Sequence, residues 1–195
     1  MYEMNKVTQR IVDWLVLTES IENSKRSVYE SGIRQLLTYL LDILGILILG
    51  LIFDAIVTAF VISILFMILQ RYAGSYHAPS RKICYIGSMI MIAGNLYTFQ
   101  KVTLSLEQQL LVLIFLLLII IFLAPVECRN KRLDEKERKI YGKRAKIICV
   151  GYGILWWMFY LLKVSNYTKM IILVLFNVAF LQVIGKLDLH FFEKK

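Results

Sequence analysis

Apolar residues run along this chain in long blocks, cut by short polar segments at intervals that a membrane would set. Residues 36–69 carry only two charges, Asp42 and Asp54, and form a block well beyond the ~20 residues that one transmembrane helix needs. Two helices, Leu36–Phe53 and Ala55–Leu69, with a tight turn near Gly50–Asp54, fit that length. A polar interlude, Gln70–Lys82, follows. Further spans are predicted at Ile83–Phe99, at Leu104–Ala124 (stopped by Pro125), at Ile147–Leu162 and at Met170–Ile184. A charged stretch, Glu127–Lys146, parts the fourth span from the fifth, Lys163–Lys169 parts the last two, and a polar tail closes the chain. In residues 1–34 Met4, Val7, Ile11, Trp14, Thr18 and Ile21 recur at steps of three and four, the period of an amphipathic helix. Such a helix lies at a membrane surface or packs on its own protein. Glu3 and Asp13 interrupt any signal-peptide core. The pattern predicts an all-α, polytopic membrane protein. Its N-terminal amphipathic segment covers 1–34, and a helical membrane domain of about six spans covers 35–195.

Composition agrees. Of the 195 residues 58% are hydrophobic and the mean hydropathy is +0.65, more apolar surface than a soluble domain can cover. With 2 prolines and 10 glycines the chain is neither collagenous nor disordered. Yet 23 Lys+Arg against 14 Asp+Glu leave a net charge of +9, so the charges must be segregated from the apolar bulk. With an even number of spans, twelve loop cations fall on one side: Arg71, Arg81, Lys82, Arg129, Lys131, Arg132, Lys136, Arg138, Lys139, Lys143, Arg144 and Lys146. The other side receives three, Lys101, Lys163 and Lys169. Positive loops stay in the cytosol, which places both termini, loop 70–84 and basic loop 126–146 there. Nucleic-acid binding is not indicated, because Tyr141 is the one aromatic in the basic stretch and four acids dilute it. It reads as a stop-transfer segment against anionic headgroups. Alternatively, Lys131, Arg132, Lys136, Arg138 and Lys139 hold an acidic peptide near the membrane.

Three cysteines and two histidines show no metal-ligand spacing, so no metal or cofactor is expected. Cys149 falls inside a span and reads as a small buried residue, and Cys128 has no histidine near it in sequence. Cys84 differs, lying seven residues after His77. On an unbroken helix that spacing means about 10 Å along the axis, too far for proton transfer. Pro79, however, turns Ala78 away from helix, and Ser80 is a good N-cap. Cys84 then lies near the positive end of a helix beside Arg81 and Lys82, where a thiolate is favoured. His77 can fold back to take the proton, and Gly74 lets the backbone approach closely. Spacing alone also allows an inert thiol and a solvated histidine.

The segment Arg71-Tyr-Ala-Gly74-Ser-Tyr-His77-Ala-Pro-Ser80-Arg-Lys-Ile-Cys84-Tyr-Ile-Gly-Ser88 closely resembles the signature of the AgrB family, the accessory gene regulator B proteins. Tyr29–Gly32 is similar to that family's short Tyr-Gly element, with two residues inserted. Ala124-Pro125-Val126-Glu127, followed by Asn130-Lys-Arg-Leu133, resembles its central loop. Ser75 departs from the pattern, since many members carry a second glycine there.

The resemblance implies a membrane cysteine endopeptidase of bacterial quorum sensing, multi-pass in the plasma membrane. Such proteins cut the acidic tail from an AgrD-like propeptide with an amphipathic helix, and promote cyclisation of the remainder to a thiolactone or lactone. By position, Cys84 is then the nucleophile and His77 the general base. Read from the residues themselves, backbone N–H groups around Arg81–Cys84 are the first candidates for the oxyanion hole and the Arg71 side chain the second. Arg71 otherwise marks the helix end, and Ser80, Gly74 and Asp42 are supporting candidates. Asp42 lies within a span, where an ionisable group is costly, and a protonated structural role fits it equally. Asn95 and Gln182 are expected to hydrogen-bond between helices. Six short helices on a small chain could leave an apolar face for a homodimer. Two other readings remain: a small-molecule or peptide transporter in which Cys84 is incidental, and a non-catalytic assembly factor. The topology makes a direct prediction. A reporter-fusion or PEGylation map should find Lys136 and both termini in the cytosol, and an external Lys136 overturns the arrangement.

Overall fold

In the computed structural model residues 2–74, 76, 80–127 and 133–193 are described. They form seven α-helices and no strand: α1 (Tyr2–Leu17), α2 (Arg26–Ile52), α3 (Ile56–Ala73), α4 (Arg81–Lys101), α5 (Leu106–Leu123), α6 (Glu135–Leu161) and α7 (Ser165–Glu193). Two compact units divide the chain, residues 1–48 and 49–195.

In the N-terminal unit the amphipathic helix is shorter than its periodicity suggested. Past Leu17 the Thr18 hydroxyl donates to the Trp14 carbonyl at 2.9 Å, competing with the helix for its own backbone. Glu19 then turns with φ of 53°, so Ile21 lies off the stripe. The buried face is Thr8 and Val12, whereas Val7, Trp14 and Leu17 of the same helix are exposed. Spacing identifies an apolar face but not the side of it that packs. Arg26 ties α1 to the start of α2, pairing with both Asp13 and Glu30. Helix α2 therefore starts well ahead of Leu36, and its first turns are polar.

The second unit opens at the predicted hairpin turn. Ala55 N–H donates to the Gly50 carbonyl at 2.7 Å, and Asp54 takes φ of 49°. A Cβ on Gly50 would stand 2.8 Å from Ile56 Cα, so the tight crossing requires glycine. Helix α7 is the axis of this unit, packed against α3, α4, α5 and α6. Its apolar window is 61% buried, against 28% for α3 and 22% for α5. Leu69, Ile120, Trp156, Ile171 and Leu175 fill the space between these helices.

Among the described residues four helical segments are long and apolar enough to cross a membrane: Asn23–Ile52, Ile56–Ala73, Leu106–Leu123 and Ser165–His190. Helices α4 and α6 cover the predicted third and fifth spans, but Gly, Ser and Asn dilute α4 and charges fill the first turns of α6. Length and composition thus support four spans, short of the six expected. The charged stretch is also less of a loop than it looks in sequence. Asp134 caps α6 through the Glu137 N–H at 2.6 Å, Glu135 and Glu137 favour its positive end, and Lys136–Lys146 is helical. The polar tail continues α7 to Glu193.

Buried polar side chains cross-link the bundle. Asn177 Nδ2 donates to Asn95 Oδ1 at 3.0 Å, and Tyr152 donates to the Leu65 carbonyl at 2.7 Å. Asn95 and Gln182 both bond between helices as expected, though to different partners. Asn177→Leu leaves Asn95 without its donor and should cost about 0.5–2 kcal/mol, read as a lowered denaturation midpoint in detergent. An unchanged midpoint would deny the pair a structural role.

Candidate functional site

Helix α4 begins where the sequence placed its cap. Ser80 is extended (φ −136°, ψ 148°) and its hydroxyl accepts from Ile83 N–H at 3.3 Å. The Cys84 N–H donates to the Ser80 carbonyl at 3.0 Å, so Cys84 belongs to the first full turn. Its thiol is exposed, whereas Cys149 is buried in the core on α6. Asp42 is half-buried on α2 in the N-terminal unit. His77, Cys128, Lys131 and Arg132 lie outside the described residues.

The approach to this segment is held by three separate elements. Helix α3 ends at Ala73, and Gly74 leaves it with φ of 73° and ψ of 162°. The Ala73 carbonyl accepts from Val126 N–H at 3.0 Å and from Gln182 Nε2 at 2.8 Å. Tyr76 N–H then donates to the Leu181 carbonyl at 3.2 Å. The last carbonyls of a helix have no partner within it, and here α7 and the 124–127 segment supply one. Gly74 lies so close to Val126 that a Cβ would stand 2.0 Å from its carbonyl oxygen.

The 124–127 segment is itself fastened to α6. Arg138 Nε donates to Glu127 Oε1 at 3.0 Å, and a second guanidinium N–H reaches the same oxygen. These bonds hold the Arg138 guanidinium above its ordinary value. The Cβ position of Gly142 lies 3.2 Å from the Pro125 ring. Arg71 occupies the last turn of α3, where a cation suits the negative helix end. Its guanidinium lies 6.0 Å from the centre of the Tyr72 ring, and that of Arg144 lies 5.4 Å from it. Tyr72 meets Tyr141 edge-on at 6.0 Å. Of the basic residues considered for substrate or lipid, Lys136 and Lys139 are exposed, and Arg138 is engaged by Glu127. That pairing has a faint trace in sequence, an acid and a base flanking a helix cap.

Residues 6–185 match the family model described as Accessory gene regulator B. The chain belongs to the AgrB family. Its relatives include two proteins of Clostridium perfringens named for likeness to AgrB. AgrB-like protein 2 of strain 13 (type A) is 23% identical over 133 residues, covering 65% of this chain and 62% of its own length. An AgrB-like protein of strain SM101 (type A) is 21% identical over the same proportions. The match thus spans less than two thirds of either relative. No solved structure matches the chain. Family membership and the long apolar helices make this a membrane protein.

Within this AgrB family member Gly74 is the residue whose replacement the geometry forbids most directly. Gly74→Ala combines the Val126 clash with a backbone region that is nearly glycine-only, costing about 1–3 kcal/mol from conformation alone. Gly94→Ala on α4 meets open space. Gly74→Ala should therefore lower the denaturation midpoint while Gly94→Ala keeps it. Equal midpoints would contradict the close approach.

Proposed function

We propose that this chain is a membrane cysteine endopeptidase that removes the C-terminal tail of an AgrD-like propeptide and promotes closure of the remainder into a ring. The observation that carries this reading is the exposed Cys84 thiol in the first turn of a capped helix. Its chain is pinned at Tyr76 and again at Ser80, on either side of His77. In sequence His77 follows Tyr76 directly and precedes the cap of α4 by three residues. A family signature covering the same residues supports the assignment.

In the reaction, the Cys84 thiol gives its proton to His77 and the thiolate sulfur attacks the scissile carbonyl. The C–N bond breaks, the tail amine takes the proton from the imidazolium, and an acyl-enzyme thioester remains. A thiol or hydroxyl of the bound peptide then attacks that thioester, closing the ring and restoring the Cys84 thiol. Exchange of thioester for thiolactone nearly conserves the activated bond, so ring closure needs no nucleotide. Free N–H groups at the start of α4 are suited to the oxyanion. With the basic residues in the cytosol, exposed Lys136 and Lys139 on α6 suit an acidic tail and anionic lipid alike.

Co-expression with an AgrD-like propeptide, an amphipathic helix followed by a Cys or Ser core and an acidic tail, tests the reading. Mass spectrometry should find a shortened or Cys84-linked peptide with the native chain, and neither with Cys84→Ala. His77→Ala should lower processing by about 100-fold or more. Processing that survives Cys84→Ala overturns the proposal, and peptide export that survives it favours a transporter.

A further inference from the structure

Gln182 is fully buried in α7, distant in sequence from the cysteine–histidine segment. Its Nε2 donates to the Ala73 carbonyl, while its Oε1 has no partner among the described residues. Burying a half-satisfied amide costs more than burying an apolar side chain of the same shape. If packing were the only demand, leucine or methionine would serve α7 better. The donor is therefore the part of this side chain that counts, and it is spent on the carbonyl from which the chain departs toward His77.

The neighbouring bonds make that point a junction. Ala73 also accepts from Val126, Gly74 abuts the Val126 backbone, and Tyr76 is bonded to Leu181, the residue before Gln182. Positions 181 and 182 of α7 thus grip both sides of the glycine at which the chain turns. We infer that Gln182 is a positioning residue for the reaction, fixing from α7 the exit of α3 at Ala73–Tyr76, the point from which the sequence runs on to His77 and Cys84. The inference rests on the proposed endopeptidase activity. Gln182 touches no reacting atom in this scheme; it acts through Ala73 and Tyr76. Since a misplacement of about 1 Å can cost 10²-fold in rate, loss of the tether should appear in turnover more than in substrate capture.

Asn177 provides the control. It is likewise buried on α7, and its amide also bonds to another helix, but its partner Asn95 belongs to the middle of α4. Gln182→Met and Asn177→Leu each remove one buried interhelical hydrogen bond, and only the first touches the junction. With purified, folded protein in nanodiscs and an AgrD-like propeptide that the native chain processes, Gln182→Met should lower kcat at least about tenfold with KM within twofold. Asn177→Leu should keep kcat near that of the native chain. Amide hydrogen exchange on the same samples should speed up at Tyr76 and Val126 in Gln182→Met and stay unchanged there in Asn177→Leu. Equal losses of kcat in the two variants, or unaltered exchange in Gln182→Met, overturn the positioning role. Processing by the native chain that does not depend on Cys84 counts instead against the endopeptidase reading, and the exchange experiment still decides the tether.

Discussion

A carbonyl buried at the end of a helix must find a donor, because neither its own helix nor water supplies one there. The Ala73 carbonyl finds two, from Val126 on the segment after α5 and from Gln182 on α7. That requirement organises one end of the second unit. It brings together residues far apart in sequence, it makes Gly74 the narrowest point of the backbone, and it sets the direction in which the chain leaves α3. Without those donors the buried end of α3 would carry an unpaired carbonyl.

Charge and aromatic residues reinforce the same end in different ways. Arg71 and Arg144 lie near the Tyr72 ring, and Arg138 closes on Glu127. These cations lie where a negative helix terminus, a ring or a carboxylate receives them. At the other end of α6 Trp156 and Trp157 each stack on Tyr160, and Phe159 meets Tyr167 of α7 at 4.9 Å. Rings of that kind favour a membrane–water boundary. Helix α6 thus runs from a basic end to an aromatic one, a polarity consistent with the distribution of cations along the chain.

Much of this was legible in the residues. The break at Gly50–Asp54, the Ser80 cap and the stop at Pro125 are local signals, each decided by one or two residues, and each falls where the sequence indicated. A buried amide in an apolar run marks an interhelical bond, and Asn95 and Gln182 were readable on that ground. Other features resisted. The period of α1 shows a stripe, yet Thr8 and Val12 rather than Val7 and Trp14 are buried, because packing chooses between adjoining faces by shape. Charge density suggested a loop over Glu127–Lys146, whereas Asp134 and two acids in the first turn nucleate a helix there. The six-span estimate met α4 and α6, whose polar residues carry them below the apolarity of the other helices.

The membrane class, the family and the identity of the candidate cysteine and histidine are readable from the residues alone, because hydropathy, caps and a contiguous signature are properties of neighbouring residues. Which partners secure the end of α3 follows from the way the helices pack. Gln182 and Val126 come from segments separated from Ala73 by other helices, and which amide reaches which carbonyl depends on how α7 packs through the middle of the unit. That pairing is a property of the packed bundle, and no stretch of sequence contains it.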